Sequence, residues 1–201
     1  MVPRERMKLT EAIRVLKSGG VIAYPTETTY GLGCDPRDTK AVDKIFRLKR
    51  RDAAKSVLLV ASSIEQVRKV AVLSGPALRL AKHYWPGALT LVLPVKSDAS
   101  LSPRVSKNGE VAIRVSSSVI VQTLTKRFGF PIVSTSANLS GQSPCRSARS
   151  MQQVFAAQGL TPDLIVDGGR LPARKPSTIV RVTASGELEV LRQGAVRPVL
   201  S

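Results

Sequence analysis

Short apolar runs of strand character recur along this chain, separated by stretches with helical spacing. That alternation limits the fold to a few α/β architectures. Val21–Tyr24, Val57–Ala61, Leu89–Val95, Val111–Val115 and Ile132–Thr135 read as buried strands. Leu164–Val166, Thr178–Val182 and Leu188–Leu191 follow as three late ones. Thr10 is placed to cap a helix built on Ala12, Ile13, Val15 and Leu16, which Gly19-Gly20 ends. A second helix starts near Asp38 or Thr39, with Val42, Ile45, Phe46 and Leu48 on one face. Ser62 and Glu65 stand at capping-box spacing, and a helix from about Pro76 stops at Trp85-Pro86-Gly87. Val119–Phe128 and the stretch near Ser150–Ala157 also read as helices. No linker or internal repeat divides the 201 residues, so one domain over 1–201 is expected. The alternation calls for an open sheet with many parallel pairs. The hairpin-like segment Thr178–Leu191, turning at Ala184-Ser185-Gly186, adds antiparallel strands and makes the sheet mixed.

Composition excludes several classes. Cys34 and Cys145 are too few for a disulfide framework and fit a reducing cytoplasm. The start, Met1–Arg6, is charged with no apolar h-region behind it. Apolar runs such as Val57–Ala61 fall far short of the ~20 residues that span a bilayer. No amphipathic Lys/Trp helix or lipidation signal points to a membrane surface. The single histidine, His83, rules out a multi-His metal site, and beside Tyr84 and Trp85 it has a packing or surface role. G-x-S-x-G, H-E-x-x-H, C-x-x-C and Walker A motifs are absent.

What remains is cationic and hydroxylic. The formal net charge of +17 suits polyanions, nucleotides or nucleic acid. Eight cations crowd between positions 37 and 55: Arg37, Lys40, Lys44, Arg47, Lys49, Arg50, Arg51 and Lys55. Lys40, Lys44 and Arg47 share a solvated helix face. Lys49, Arg50, Arg51 and Lys55 follow the helix, in the loop before the strand Val57–Ala61, at a sheet edge where α/β folds bind ligands. Taken alone, such a run is either solvated surface or a phosphate site. Ser134–Gly141 ends a strand in three hydroxyls, Asn138 and a glycine turn. It is either a chain-punctuating turn or a nest of free backbone N–H groups for an anion. A third polar run, Thr26–Tyr30, also follows a strand, and three such strand ends suggest one shared cleft. Trp85-Pro86-Gly87 is structural, an aromatic anchor and a helix stop.

These residues, in this order, resemble the YrdC/TsaC family of threonylcarbamoyl-adenylate synthases. The marks are YPTETTYGLG at Tyr24–Gly33, Lys49-Arg50-Arg51 as the family's K-x-R, and WPGALT at Trp85–Thr90. AIRV at Ala112–Val115, STSAN at Ser134–Asn138 (with Ser136 and Asn138 as S-x-N) and PSTI at Pro176–Ile179 complete the series. The resemblance runs from about Leu9 to Gly194 and looks like the short bacterial subgroup. Asp52 stands where the family usually has Pro after K-x-R, and Lys55-Ser56-Val57 replaces the usual K-P-L. Loss of that proline frees a φ angle, and Asp52 is placed to pair with Arg50 or Arg51. A sister subgroup lacks parts of K-x-R and S-x-N. Lys49, Arg51, Ser136 and Asn138 are all present here.

The resemblance implies an α/β single-domain twisted open mixed sheet with helices on its faces and a concave positive face. It implies an enzyme that joins L-threonine, bicarbonate or CO₂, and ATP into threonylcarbamoyl-AMP and pyrophosphate. Partner proteins then transfer the threonylcarbamoyl group to an adenosine beside the anticodon of tRNA. It places Lys49, Arg51, Lys55, Ser136, Asn138 and Arg192 on ATP, and Thr28, Arg114, Ser134 and Ser177 on threonine. Catalysis would rest on positioning and electrostatics, with Mg²⁺ accompanying ATP and no metal ligands from the protein. The rival is a non-catalytic RNA-binding protein on the same fold, because +17 exceeds what three small substrates require. Aromatics are scarce, and no base-stacking motif is visible.

Overall fold

The computed structural model describes residues 3–73, 75–183 and 186–199. Met1 and Val2 of the charged start, and Ala184 and Ser185 of the expected late turn, lie outside them. In chain order the elements are α1 (Pro3–Lys17), β1 (Ile22–Pro25), β2 (Tyr30–Gly33), α2 (Thr39–Lys49), β3 (Leu58–Ala61), α3 (Ile64–Val67), α4 (Gly75–Tyr84) and β4 (Leu89–Pro94). They continue with β5 (Glu110–Val115), α5 (Val119–Phe128), β6 (Ile132–Ser136), α6 (Ala148–Ala156), β7 (Leu164–Ile165), β8 (Thr178–Val182) and β9 (Leu188–Arg192).

The strands form one open, twisted mixed sheet in the order β7-β1-β2-β6-β3-β5-β4-β8-β9. Among the described residues only β1/β7, β3/β5 and β4/β8 are parallel, so antiparallel pairs outnumber the parallel ones expected. Connections such as β1–β2 and β4–β5 carry no helix, and without a crossover consecutive strands pair antiparallel. β8 and β9 pair antiparallel as expected, with Val182 opposite Leu188.

Period-two alternation divides the sheet into two faces. On one, Leu9, Ala12 and Leu16 of α1 and Val121, Leu124 and Phe128 of α5 pack on Ile22, Tyr24, Val60 and Ile132. The other core joins Val42, Ile45 and Phe46 of α2, Leu80 of α4, and Met151 and Phe155 of α6 to Ala23, Leu59, Ile113 and Val115. Helices α1 and α5 lie against β1 and β3. Further along the same face β5 carries Arg114, β6 carries Ser134 and β4 carries Thr90, all buried and polar.

Three local expectations are corrected. Thr10 lies inside α1 and does not start it. The cap of α3 is Ser63, not Ser62: its hydroxyl accepts from the Gln66 N–H at 3.3 Å, and Ser62 N–H donates to the Gln66 side chain at 2.9 Å. The run through Gly33 contains a whole strand, β2, fully buried between β1 and β6. Its alternating glycines hide it from propensity, yet the packing requires one of them. A Cβ on Gly33 would stand 2.7 Å from both the Val133 carbonyl oxygen and the Tyr24 ring. Trp85 is buried as expected, its indole N–H donating to Leu89 O at 2.7 Å.

Gly33→Ala is therefore expected to destabilise the protein by about 1–3 kcal/mol, the ordinary cost of forced overpacking. Urea unfolding checks this. A midpoint unchanged from wild type would mean that β2 and β6 stand further apart than described.

Candidate active site

A cavity of about 420 Å³ opens on the polar part of the sheet face that α1 and α5 leave free. The three polar strand ends meet there: Thr26 with Thr28–Gly31, Ser134–Ser136 with Asn138, and Arg51 with Ser56 from the α2–β3 loop. Arg114 of β5, Pro176 and Ser177 before β8, and Arg192 of β9 complete the wall. The register explains the grouping, because Leu58 pairs with Ser134 and Ala112, Val60 with Arg114, and Gly31 with Ser136.

Arg114 follows from strand alternation. Val111, Ile113 and Val115 enter the core, so Ala112 and Arg114 face the other way. Arg114 is 4% exposed and ion-paired through Nη1 to Glu27, whose second carboxylate oxygen accepts from the Ser116 hydroxyl at 2.6 Å. Its Nε is buried without a partner. Burial pulls its pKa down to about 10, so it stays charged at neutral pH.

Lys49 is placed differently from the phosphate role that the resemblance implies. It is 1% exposed and does not line the cavity. Its ammonium donates to the backbone oxygen of Ser136, to Asn138 O at 2.9 Å and to Asn138 Oδ1 at 3.0 Å. Asn138 Oδ1 also accepts from the Ser136 hydroxyl at 2.6 Å, and its amide donates to Leu139 O and Gln142 O. Lys49 thus clamps the S-x-N turn from beneath. Burial, followed by the Arg51 charge, pulls its pKa down to about 7; the surrounding carbonyl oxygens favour the protonated form. Of the two readings left open for this segment, the turn fits better than a nest, because its N–H groups are largely used up. Ala137 N–H donates to Tyr30 O, Asn138 N–H to Ser136 O and Ser140 N–H to Lys49 O.

Arg51 is half-buried, its Nη2 donating to Ser56 O at 2.7 Å, and burial lowers its pKa. Arg192 clasps Ser177 through both O (2.7 Å) and Oγ (3.0 Å), and the Ser177 hydroxyl meets Thr90 Oγ1 at 2.9 Å. Gly194 allows that approach, since a Cβ there would lie 2.2 Å from Pro176 O. Thr28 stands on a turn organised by the Thr26 hydroxyl.

Of the ten residues that the resemblance singles out, Thr28, Arg51, Arg114, Ser134, Ser136, Asn138, Ser177 and Arg192 line the cavity. Lys49 lies beneath it, and Lys55 is exposed outside it. Asp52 pairs with neither arginine but caps its own turn, accepting from Ala54 N–H at 2.9 Å. Sequence reasoning missed Glu27, Ser116 and Thr90. It also missed a signal for Lys49: Val42, Ile45, Phe46 and Lys49 stand at i, i+3, i+4 and i+7, on the buried stripe of α2.

The lowered Lys49 pKa has a measurable consequence. Between about 7 and the ordinary 10.5 the unfolded chain holds a proton that the folded chain has lost, so this residue makes stability rise with pH across that window. The urea midpoint of wild type should accordingly climb relative to Lys49→Met between pH 6.5 and 9. Parallel pH profiles for the two proteins would show that Lys49 stays fully protonated in the fold.

The Sua5/YciO/YrdC family model, described as telomere recombination, matches residues 14–194. The threonylcarbamoyl-AMP synthase of Saccharophagus degradans is 46% identical over 165 residues, 81% of this chain and 85% of that protein. That of Psychromonas ingrahamii is 38% identical over 188 residues, 92% of this chain and 97% of the relative. Among solved structures, P. abyssi Sua5 complexed with L-threonine superposes with a TM-score of 0.83 at 32% identity. It matches 94% of this chain, which spans about half (54%) of that longer one. E. coli YciO superposes with a TM-score of 0.82 at 28% identity, covering 96% of this chain and 91% of its own. With the family model spanning most of its length, this chain belongs to the Sua5/YciO/YrdC family.

Proposed function

We propose that this chain is a threonylcarbamoyl-AMP synthase, forming L-threonylcarbamoyladenylate and pyrophosphate from L-threonine, bicarbonate or CO₂, and ATP. Curated relatives bear that name over most of their length, and P. abyssi Sua5 was solved with L-threonine. The observation that carries the reading is the cavity itself, where Arg51, Arg114 and Arg192 converge. Guanidinium forks lining one cavity suit carboxylate and phosphate oxygens.

The threonine amine attacks CO₂, losing a proton, and gives a carbamate. One carbamate oxygen then attacks the α-phosphorus of ATP, and pyrophosphate leaves. Two anions must meet, so repulsion and lost freedom dominate the barrier, and fixed cations in a walled pocket lower both. Arg51 and Arg192 take the phosphates, and Ser136 lies beside them on β6. Arg114 takes the threonine carboxylate, with Thr28, Ser134 and Ser177 around it. Lys49 and Asn138 act by holding the turn that carries Ser136, and Lys55 adds positive charge outside the wall. No group of three His, Cys, Asp or Glu side chains able to hold a metal occurs among the described residues, and Glu27 is engaged by Arg114 and Ser116. Mg²⁺ would enter as part of the ATP complex, held mainly by phosphates and water.

Transfer to tRNA falls to partner proteins in the cytoplasm. No helix among the described residues is long and apolar enough to cross a membrane. RNA contact through the surplus charge is a separate property. Arg47 and Arg50 line a second groove with Phe46, Arg104 and Leu160.

Purified protein incubated with ATP, bicarbonate and labelled threonine should release pyrophosphate and form the adenylate. Arg51→Ala should cut the rate at least about tenfold, roughly 1.4 kcal/mol, with folding intact. Arg114→Lys, which keeps the charge and loses the fork, should weaken threonine more than ATP. Wild-type kinetics in both variants would remove the two arginines from the site. RNA affinity should fall linearly on a log–log salt plot, by ~0.7 per single-strand phosphate contact. Arg50→Glu should flatten that slope while sparing synthesis. Steep salt dependence without adenylate formation would instead favour a binding protein.

A further inference from the structure

The three guanidiniums around the cavity do not have equivalent partners. Arg51 donates to the carbonyl oxygens of Lys55 and Ser56, and Arg192 to the carbonyl and hydroxyl oxygens of Ser177. Neither forms an ion pair among the described residues. Arg114 alone has a carboxylate, that of Glu27, whose side chain is 12% exposed, held by Ser116 and absent from the cavity wall. We propose that Glu27 is a positioning residue that determines specificity, reserving the Arg114 end of the cavity for an amino acid of zero net charge and keeping polyphosphate out. The inference rests on the synthase reading above and deepens it.

In a walled cavity charges are weakly screened, so the net charge of each subsite decides which anion settles there. The Glu27–Arg114 pair sums to zero even with Arg192 near enough to act on Arg114, whereas Arg51 and Arg192 themselves present uncompensated positive charge. A triphosphate gains most at the latter, and a zwitterion loses little at the former. The ion pair also occupies Nη1 of Arg114, and Nε is buried without a partner. The guanidinium plane is thereby fixed before a carboxylate reaches it.

Steady-state rates with threonine and ATP varied in turn, and inorganic phosphate as the probe anion, test this. In wild type, phosphate should raise the KM for ATP and leave that for threonine unchanged. Glu27→Gln should raise the KM for threonine at least about tenfold, shift that for ATP less than about twofold, and turn phosphate into a competitor of threonine. Both KM values moving together, or phosphate acting as in wild type, would overturn the proposal. So would phosphate competition with threonine in wild type. If Glu27→Gln does not fold, Ser116→Ala decides. It frees one carboxylate oxygen while keeping both charges, and should raise the KM for threonine about two- to fivefold with that for ATP unchanged; no rise overturns the proposal. Calorimetry of threonine binding, with and without phosphate, reads the same preference in the absence of turnover. A wild type that binds threonine but makes no adenylate therefore counts against the synthase reading, and phosphate-insensitive binding in Glu27→Gln counts against Glu27.

Discussion

The buried ammonium of Lys49 is the contact on which the site's architecture depends. It sits at the last residue of α2 and gathers the Ser136 carbonyl and both oxygens of Asn138. A charge so placed is tolerated only where dipoles replace its hydration. The loop after β6 supplies them, and in return its path is fixed. The Ser140 N–H closes the link by donating back to the Lys49 carbonyl. Because α2 packs into the core through Val42, Ile45 and Phe46, the turn carrying Ser136 inherits the rigidity of that core.

On that frame the cavity is an electrostatic device more than a chemical one. It offers guanidiniums, hydroxyls and backbone oxygens, and the side chains that hold them are themselves held. Arg192 grips Ser177, which meets Thr90 on the neighbouring strand, and Ser116 steadies Glu27. Donors fixed in advance need not reorganise when charge develops, which is the form of assistance an attack of one anion on another requires.

Much of this was legible in the sequence because it rests on local periodicity. The runs at Val57–Ala61, Val111–Val115 and Thr178–Val182 correspond to β3, β5 and β8, and the side of β5 that bears Arg114 follows from alternation. β2 escaped because Gly31 and Gly33 carry no strand signal, and their value lies in neighbours about a hundred residues away. Glu27 escaped for a similar reason, since Arg114 and Ser116 are 87 and 89 residues distant in sequence. Lys49 was within reach. Its place on the apolar stripe of α2 marks it as inward, but the surrounding cations draw attention to charge and away from position.

The strand order has a consequence for synthesis on the ribosome. β6 lies between β2 and β3, so the two halves of the sheet stay unjoined until residues beyond 130 have emerged. Arg192, on the last strand, adds the final guanidinium to a wall begun at Thr26. Early strands must wait with edges uncovered, and non-local pairing of this kind is slow and exposed to aggregation. A nascent chain therefore lacks the Arg192 side of the cavity until its last strand has emerged, and β2 keeps an edge uncovered until β6 arrives.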